Sequence, residues 1–269
     1  MNKSIWLHDL TWQDVERHVK KDAIVIVPVG STEEHGLAAP LGLDTYVAIA
    51  LAEDVAKKMK VLVSPPLWFG DSSHHLGFPG TISLRTATLT SVIEDISHSL
   101  AKAGFRKILF INGHKIANLP AIVTAVKNVH EASLKHVLFA IIDPSKIAKG
   151  VAKKMKREPE HHAGDLETSH LIYKYPHLIN KSQLPKKNIN FVKIFSPFSH
   201  FDLLGPANEV IDIAWNSEEQ RRFAPTGAFS ASHRASAEKG KQYHDYMVEI
   251  ISQFIRWLRR YQGPIGAAE

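Results

Sequence analysis

The sequence predicts an α/β fold built on a mostly parallel sheet with helices on both faces. Three observations carry this expectation. Short β-branched runs alternate with helical patterns along the 269 residues, the signature of strands joined by crossover helices. The chain is 44% hydrophobic and 22% charged, enough apolar material for one large core. No internal repeat, low-complexity tract or composition shift divides it, so residues 1–269 are expected to form a single domain.

Taken in order, residues 23–29 (AIVIVPV) are expected to form a strand. Residues 45–59 form an amphipathic helix, with Val47, Leu51, Val55 and Met59 on one stripe. Residues 61–64 give a second strand, closed by Pro65 and Pro66, and residues 88–103 a helix that stops at Gly104. KILFING (107–113) is a strongly apolar strand running into a glycine turn. Residues 119–132 are helical, and HVLFAIID (136–143) is a strand. The lysine-rich stretch 146–157 is expected to be an exposed helix or flap. Residues 185–206 have weak periodicity and are expected to form a long loop of the site wall. Residues 240–261 make a final amphipathic helix.

Composition narrows the function. The formal net charge of +6 comes from lysines spread over several segments, without the basic-aromatic stripe of a single-strand binder, so no nucleic-acid partner is expected. Cysteine is absent, which excludes disulfides and thiolate metal sites and fits a cytoplasmic protein. The first 20 residues lack a signal-peptide apolar core, and no apolar run approaches the ~20 residues of a membrane span. Any metal must therefore be held by His, Asp and Glu.

Parallel sheets bind ligands beyond the carboxyl ends of their strands. PVGSTEEHGLAAPLGLDT (28–45) leaves the first strand and carries Glu33, Glu34, His35 and Asp44. Asn112, Gly113 and His114 leave a later strand, and HHAGDLETSH (161–170) adds His162, Asp165 and Glu167. Nitrogen and oxygen donors of this kind suit borderline and hard divalent cations, and a carboxylate between two such sets suits a bridged pair. Each residue also has a plain structural role: Asp44 as a helix N-cap, Glu167 as a charge in a first helical turn, each histidine as a polar surface group. The joint occurrence at strand ends favours the site over these roles without deciding it.

Four stretches, in order along the chain, resemble motifs of the creatininase (creatinine amidohydrolase) family: VPVGSTEEHGLAAPLGLDT, GDSSHHLGFPGTISL, INGH and HAGDLETS. The resemblance implies a three-layer αβα sandwich, a homo-oligomer of hexamer type, and two divalent metal ions per chain, Zn²⁺ or Mn²⁺. Carried onto matching positions, Glu33 and His114 would hold one metal and His35 the other, with Asp44 bridging. His162 matches the catalytic histidine, while Glu34, between two ligands, is expected to face away in a structural role. Ser72 and His75 match a pocket-lining segment, in which His74 replaces the family's usual glutamate; His74 and Lys115 join them as substrate-binding expectations.

The chain also departs from the family. NGHKIAN puts Lys115 and Ile116 where the family has glycines, and a family glutamate ligand has no counterpart there, so Glu167 is expected to complete the second metal site with Asp165 as its competitor. The aromatic residues that stack a flat substrate are missing from residues 143–162, an expectation against creatinine itself. The leading function is hydrolysis of a C–N bond in a cyclic amide or formamide by metal-activated hydroxide, with a small molecule as substrate. The alternatives are C–C ring opening of a cyclic keto-polyol such as a dehydro-inosose, and a metal-dead binding or assembly protein. Trp257, Leu258 and Tyr261 near the chain end are the expected apolar contact between subunits.

Overall fold

The computed structural model describes residues 4–194, 202–205 and 213–261. Its centre is a sheet of four parallel strands: β1 (Ile24–Val29), β2 (Leu62–Val63), β3 (Lys107–Asn112) and β4 (Leu138–Ile142), in the order β2-β1-β3-β4. β1 and β3 pair along their whole length, from Ile24 opposite Lys107 to Val29 opposite Asn112, so both strands end level with each other. That register brings the loops after Val29 and Asn112 side by side.

Side chains of a strand alternate between faces, and here both faces are buried. Ile24 and Ile26 of β1, with Leu109 and Ile111 of β3, pack under α2 (Leu43–Met59), α5 (Pro144–Ala152), α6 (Asp165–Lys174) and α9 (Ala237–Arg260). Val25, Val27 and Val29, with Ile108 and Phe110, pack under α1 (Trp12–Val19), α3 (Thr86–Lys102) and α4 (Lys115–Ala132). The result is the expected three-layer αβα sandwich. Two short helices, α7 (Phe191–Ile194) and α8 (Ser217–Phe223), lie in the segment leading to α9. Among the described residues, no helix is long and apolar enough to cross a membrane.

Two boundaries differ from the sequence reading in ways that matter to the site. α2 starts at Leu43 with Gly42 at its N-cap, so Asp44 sits inside the first turn and its side chain is free for another task. α4 starts at Lys115, so Lys115 and Ile116 belong to a helix rather than to a loop. Ile116 is exposed on that helix. Within the 185–206 stretch, residues 195–201 lie outside the described residues, as does residue 206.

The chain-end contact also needs correcting. Leu258 is fully buried on the inner face of α9, so it offers nothing to a neighbouring subunit. Trp257 is half exposed and stacks on Phe254 and Tyr261.

Candidate active site

The loop after β1 and the turn after β3 meet over the start of α2. Gly113 makes this approach possible: a Cβ there would fall 2.0 Å from the Asp44 carbonyl oxygen. Asn118, on the first turns of α4, ties three segments together. Its amide donates to the Gly30 carbonyl at 2.9 Å and to Asn112 Oδ1 at 3.3 Å, and its oxygen accepts the Asp71 N–H at 2.9 Å.

Among the described residues four triads of ligating atoms result; two contain His162, with Glu33 and His35 or with Glu34 and His75, and the other two share Asp44. Glu33, Asp44 and His114 form the first of the Asp44 pair; His35, Asp44 and Glu167 form the second, and every residue in this pair is buried. Within each triad the ligating atoms lie within 4.8 Å of one another. Backbone carbonyls set the imidazole orientations. His35 Nδ1 donates to the Glu33 carbonyl at 3.2 Å, which turns Nε2 toward Asp44 Oδ1 at 3.3 Å. His114 Nε2 donates to the Asp71 carbonyl at 3.0 Å, which leaves Nδ1 2.8 Å from Asp44 Oδ2. Fixing one ring nitrogen on a carbonyl so that the other can ligate is how metal-bound histidines are held.

The decisive observation is what these atoms lack. Both carboxylate oxygens of Glu33 and Nε2 of His35 are buried without a hydrogen-bond partner, although charged neighbours stand within 4 Å. Unpartnered buried charge costs several kcal/mol in real proteins unless something compensates it. Burial pushes the Glu33 carboxyl up from its usual range, with His114 opposing. Burial also works against charge on His35, yet Asp44, Glu167 and Glu33 together raise it to about 10; Glu33 and Asp44 likewise raise His114 to about 9. Imidazoles that hold protons this tightly mark a place built for positive charge, and the donor set fits divalent cations.

Behind the two triads that share Asp44 lies a layer organised by Glu34. This residue does not face away. Its carboxylate is buried, receives His75 Nδ1 at 2.7 Å, the Gly36 N–H at 2.9 Å and the Gln220 amide at 3.2 Å, and stands 3.1 Å from His162 Nε2. The same His162 Nε2 donates to the Glu34 carbonyl at 2.6 Å, which aims Nδ1 at Glu33 Oε1, 3.7 Å away. Burial disfavours its charge, but Glu34 raises the His162 pKa. The next residue, Ala163, has φ +55°, a left-handed conformation that costs a non-glycine residue about 1 kcal/mol and turns the chain sharply after His162.

The remaining expected residues divide. Glu167 points into the second triad, whereas Asp165 turns away and pairs with Lys239 at 2.7 Å. His74 and His75 line the cavity; His75 is also held from behind by Glu34. Ser72 is not among the residues lining it: the residue is fully buried within its own segment, where its N–H donates to Ser83 Oγ at 2.8 Å. Lys115 reaches the cavity but gives its ammonium to Glu167 Oε1 at 2.9 Å and stands 3.6 Å from Glu160 Oε1.

The cavity measures about 830 Å³, within the range that suits a small molecule. Trp215 and Phe229 line one wall, their rings 6.4 Å apart, and His74 meets the Trp215 ring edge-to-face at 6.4 Å. The expectation of a pocket without an aromatic face is therefore wrong. Residues 143–162 supply none, but the segment before α8 and the one after it do. Trp215, Phe229, Glu160 and Gln220 all escaped the sequence reading because nothing in their local pattern ties them to strand ends far back in the chain.

The creatininase family model, described as creatinine amidohydrolase, matches residues 8–255. The chain belongs to the creatininase family. It is thus a metal-dependent hydrolase by class. It is 28% identical to creatinine amidohydrolase of Pseudomonas putida over 95% of this chain and 98% of the relative. It is 27% identical to 3-dehydro-scyllo-inosose hydrolase of Thermotoga maritima over 94% and 83%. Among solved structures, a creatinine amidohydrolase matches with TM-score 0.80 and 26% identity over 97% of this chain and 100% of that one. Creatininase-family neighbours have also been solved as a Zn–Zn form and as a Mn form, each with TM-score 0.78 and 27% identity.

Proposed function

We propose that this protein is a dinuclear metal hydrolase that cleaves a C–N bond in a cyclic amide or formamide. The observation that carries the reading is the pair of buried triads sharing Asp44, with Glu33 and His35 atoms left unpartnered at their centre. Glu33, Asp44 and His114 would hold one cation; His35, Asp44 and Glu167 would hold the other. Two divalent cations supply an acidified water and a Lewis acid for the carbonyl oxygen.

The chain's own residues do the rest. His162, anchored through Nε2 on the Glu34 carbonyl, presents Nδ1 to the triads and keeps a proton there, so it serves as the acid that protonates the leaving nitrogen. Glu34 fixes that imidazole and supports its charge. Trp215 and Phe229 offer apolar faces to a planar group, and His74, whose pKa burial pushes down to about 4, stays neutral at the wall. The aromatic wall favours a flat amide over a hydroxyl-rich ring.

The test is a screen of protein loaded with Zn²⁺ or Mn²⁺ against creatinine and other lactams, formamides, and cyclic polyol ketones. Turnover of a cyclic amide or formamide supports the proposal. Turnover confined to keto-polyols replaces it with C–C ring opening. Loss of all metal on dialysis, with no turnover of any class after metal supplementation, would indicate a binding or assembly role.

A further inference from the structure

The two triads are not equivalent, and the difference lies in Lys115. In the first triad both Glu33 oxygens are without a hydrogen bond. In the second, Glu167 is already occupied twice. Its Oε1 receives Lys115 Nζ at 2.9 Å, and its Oε2 accepts the Gly164 N–H at 3.3 Å. Lys115 is well positioned for this: it is the first residue of α4, directly after His114, and its side chain is only 15% exposed.

Glu160 anchors the arrangement from the far side. It is buried, accepts the N–H groups of Leu166 and Glu167 at 2.9 and 3.0 Å, and lies 3.6 Å from the same ammonium. A carboxylate pair sharing one lysine neutralises it in a low-dielectric setting, where removing either partner is costly. A cation entering the second triad must therefore take Glu167 from Lys115, and must then reside beside a fixed positive charge. The first triad imposes neither condition.

We infer that Lys115 is a built-in counter-cation that sets the second metal site's affinity well below that of the first, so that the enzyme fills its two sites in order. The inference rests on the dinuclear reading above and concerns what this chain has added to it. One cation is held permanently by Glu33, Asp44 and His114. The other is exchangeable, bound when its concentration is high enough to displace the lysine from Glu167.

The experiment is titration of the metal-free protein with Mn²⁺, followed by calorimetry and by electron paramagnetic resonance, where a spin-coupled pair is distinct from a single ion. Wild-type protein is expected to show two separated steps, with the coupled signal arising only in the second. In Lys115→Met the second step tightens by roughly 10–100-fold, the scale on which groups behind metal ligands shift affinity, while the first changes little. Lys115→Arg keeps the charge and the wild-type spacing of the steps.

Equal steps in wild-type protein overturn the inference without recourse to any variant, which covers the case in which Lys115→Met fails to fold. An unchanged second step in folded Lys115→Met overturns it as well. Both of those results leave the dinuclear reading intact. If wild-type protein binds no stoichiometric first cation, the dinuclear reading falls and the inference falls with it.

Discussion

The motif HHAGDLETSH contributes histidines to two buried clusters of opposite character. His162, near its start, joins the strand-end site, where four carboxylates (Glu33, Glu34, Asp44 and Glu167) meet four imidazoles (His35, His75, His114 and His162). His170, at its end, lies on the inner face of α6. Its Nε2 donates to His244 Nδ1 at 2.8 Å, and His244 Nε2 donates to Asp54 at 2.9 Å. Asp54 is the one carboxylate in that chain of contacts, and Lys174 shares it at 2.7 Å. Burial therefore wins there: His170 is held well below its ordinary pKa and His244 is lowered too. In the site the carboxylates win at His35 and His114, which are raised, whereas burial still wins at His75, which is held well below its ordinary value. The carboxylates that face each imidazole, set against its burial, decide whether a buried histidine collects positive charge or stays a neutral part of the core.

The sharpest way to break this contrast is to remove the shared carboxylate. Asp44→Asn should lose both cations and reduce turnover to background, while the His170–His244 pair and the fold persist. Elemental analysis and far-UV circular dichroism check it, and retention of two equivalents of metal would contradict the bridging role. Next in size is His162→Ala. It should retain both cations and lower kcat by roughly 10²–10⁴, the range of a general acid; loss of a cation would make His162 a ligand instead.

Glu34→Gln probes the layer behind. The amide keeps the shape but removes the charge that supports His162, so kcat should fall by roughly 10–100-fold with metal content unchanged. A rise in KM alone would place Glu34 with substrate binding rather than with His162.

The smallest effect belongs to the neutral cluster. His170 and His244 have folded pKa values below 6.5, so beneath that pH the unfolded chain binds protons that the folded chain refuses. Their contribution to stability is fully present above pH 6.5 and declines as the pH falls below it. His244→Gln should flatten the acid limb of stability against pH by up to about 1.4 kcal/mol per pH unit, one proton's worth. Urea unfolding of metal-loaded protein between pH 5 and 7 measures the slope; an unchanged slope would show that His244 accepts its proton in the fold.

Much of this was legible in the linear chain for local reasons. Apolar runs of strand length separated by helical periods gave the parallel sheet, and the position of Glu33, His35 and His114 immediately after strand ends placed them at one edge. The missing family glutamate after His114 then directed the expectation to Glu167, with Asp165 as its competitor. What misled was local as well. Asp44 before Thr45-Tyr46-Val47 looks like an N-cap, but the helix begins one residue before it. Lys115 in a polar turn looks like a substrate contact, but α4 begins at that residue and carries its ammonium to Glu167. Leu258 looks like an interface residue because a helix near the chain end shows no partner in sequence; its buried stripe is visible only once α9 lies on α2 and α6.

The sequence by itself determined the layers, the edge of the sheet where chemistry gathers, and the kind of atom available there, because periodicity and residue type act over a few positions. Tertiary structure alone decided which acid faces which base. Glu34 meets Gln220 across 186 residues, Lys115 finds Glu160 and Glu167 in another segment, and Trp215 closes a wall that residues 143–162 leave open. Charge strength in a buried site depends on distances of 3 to 4 Å between segments far apart in the chain, and no local pattern encodes them.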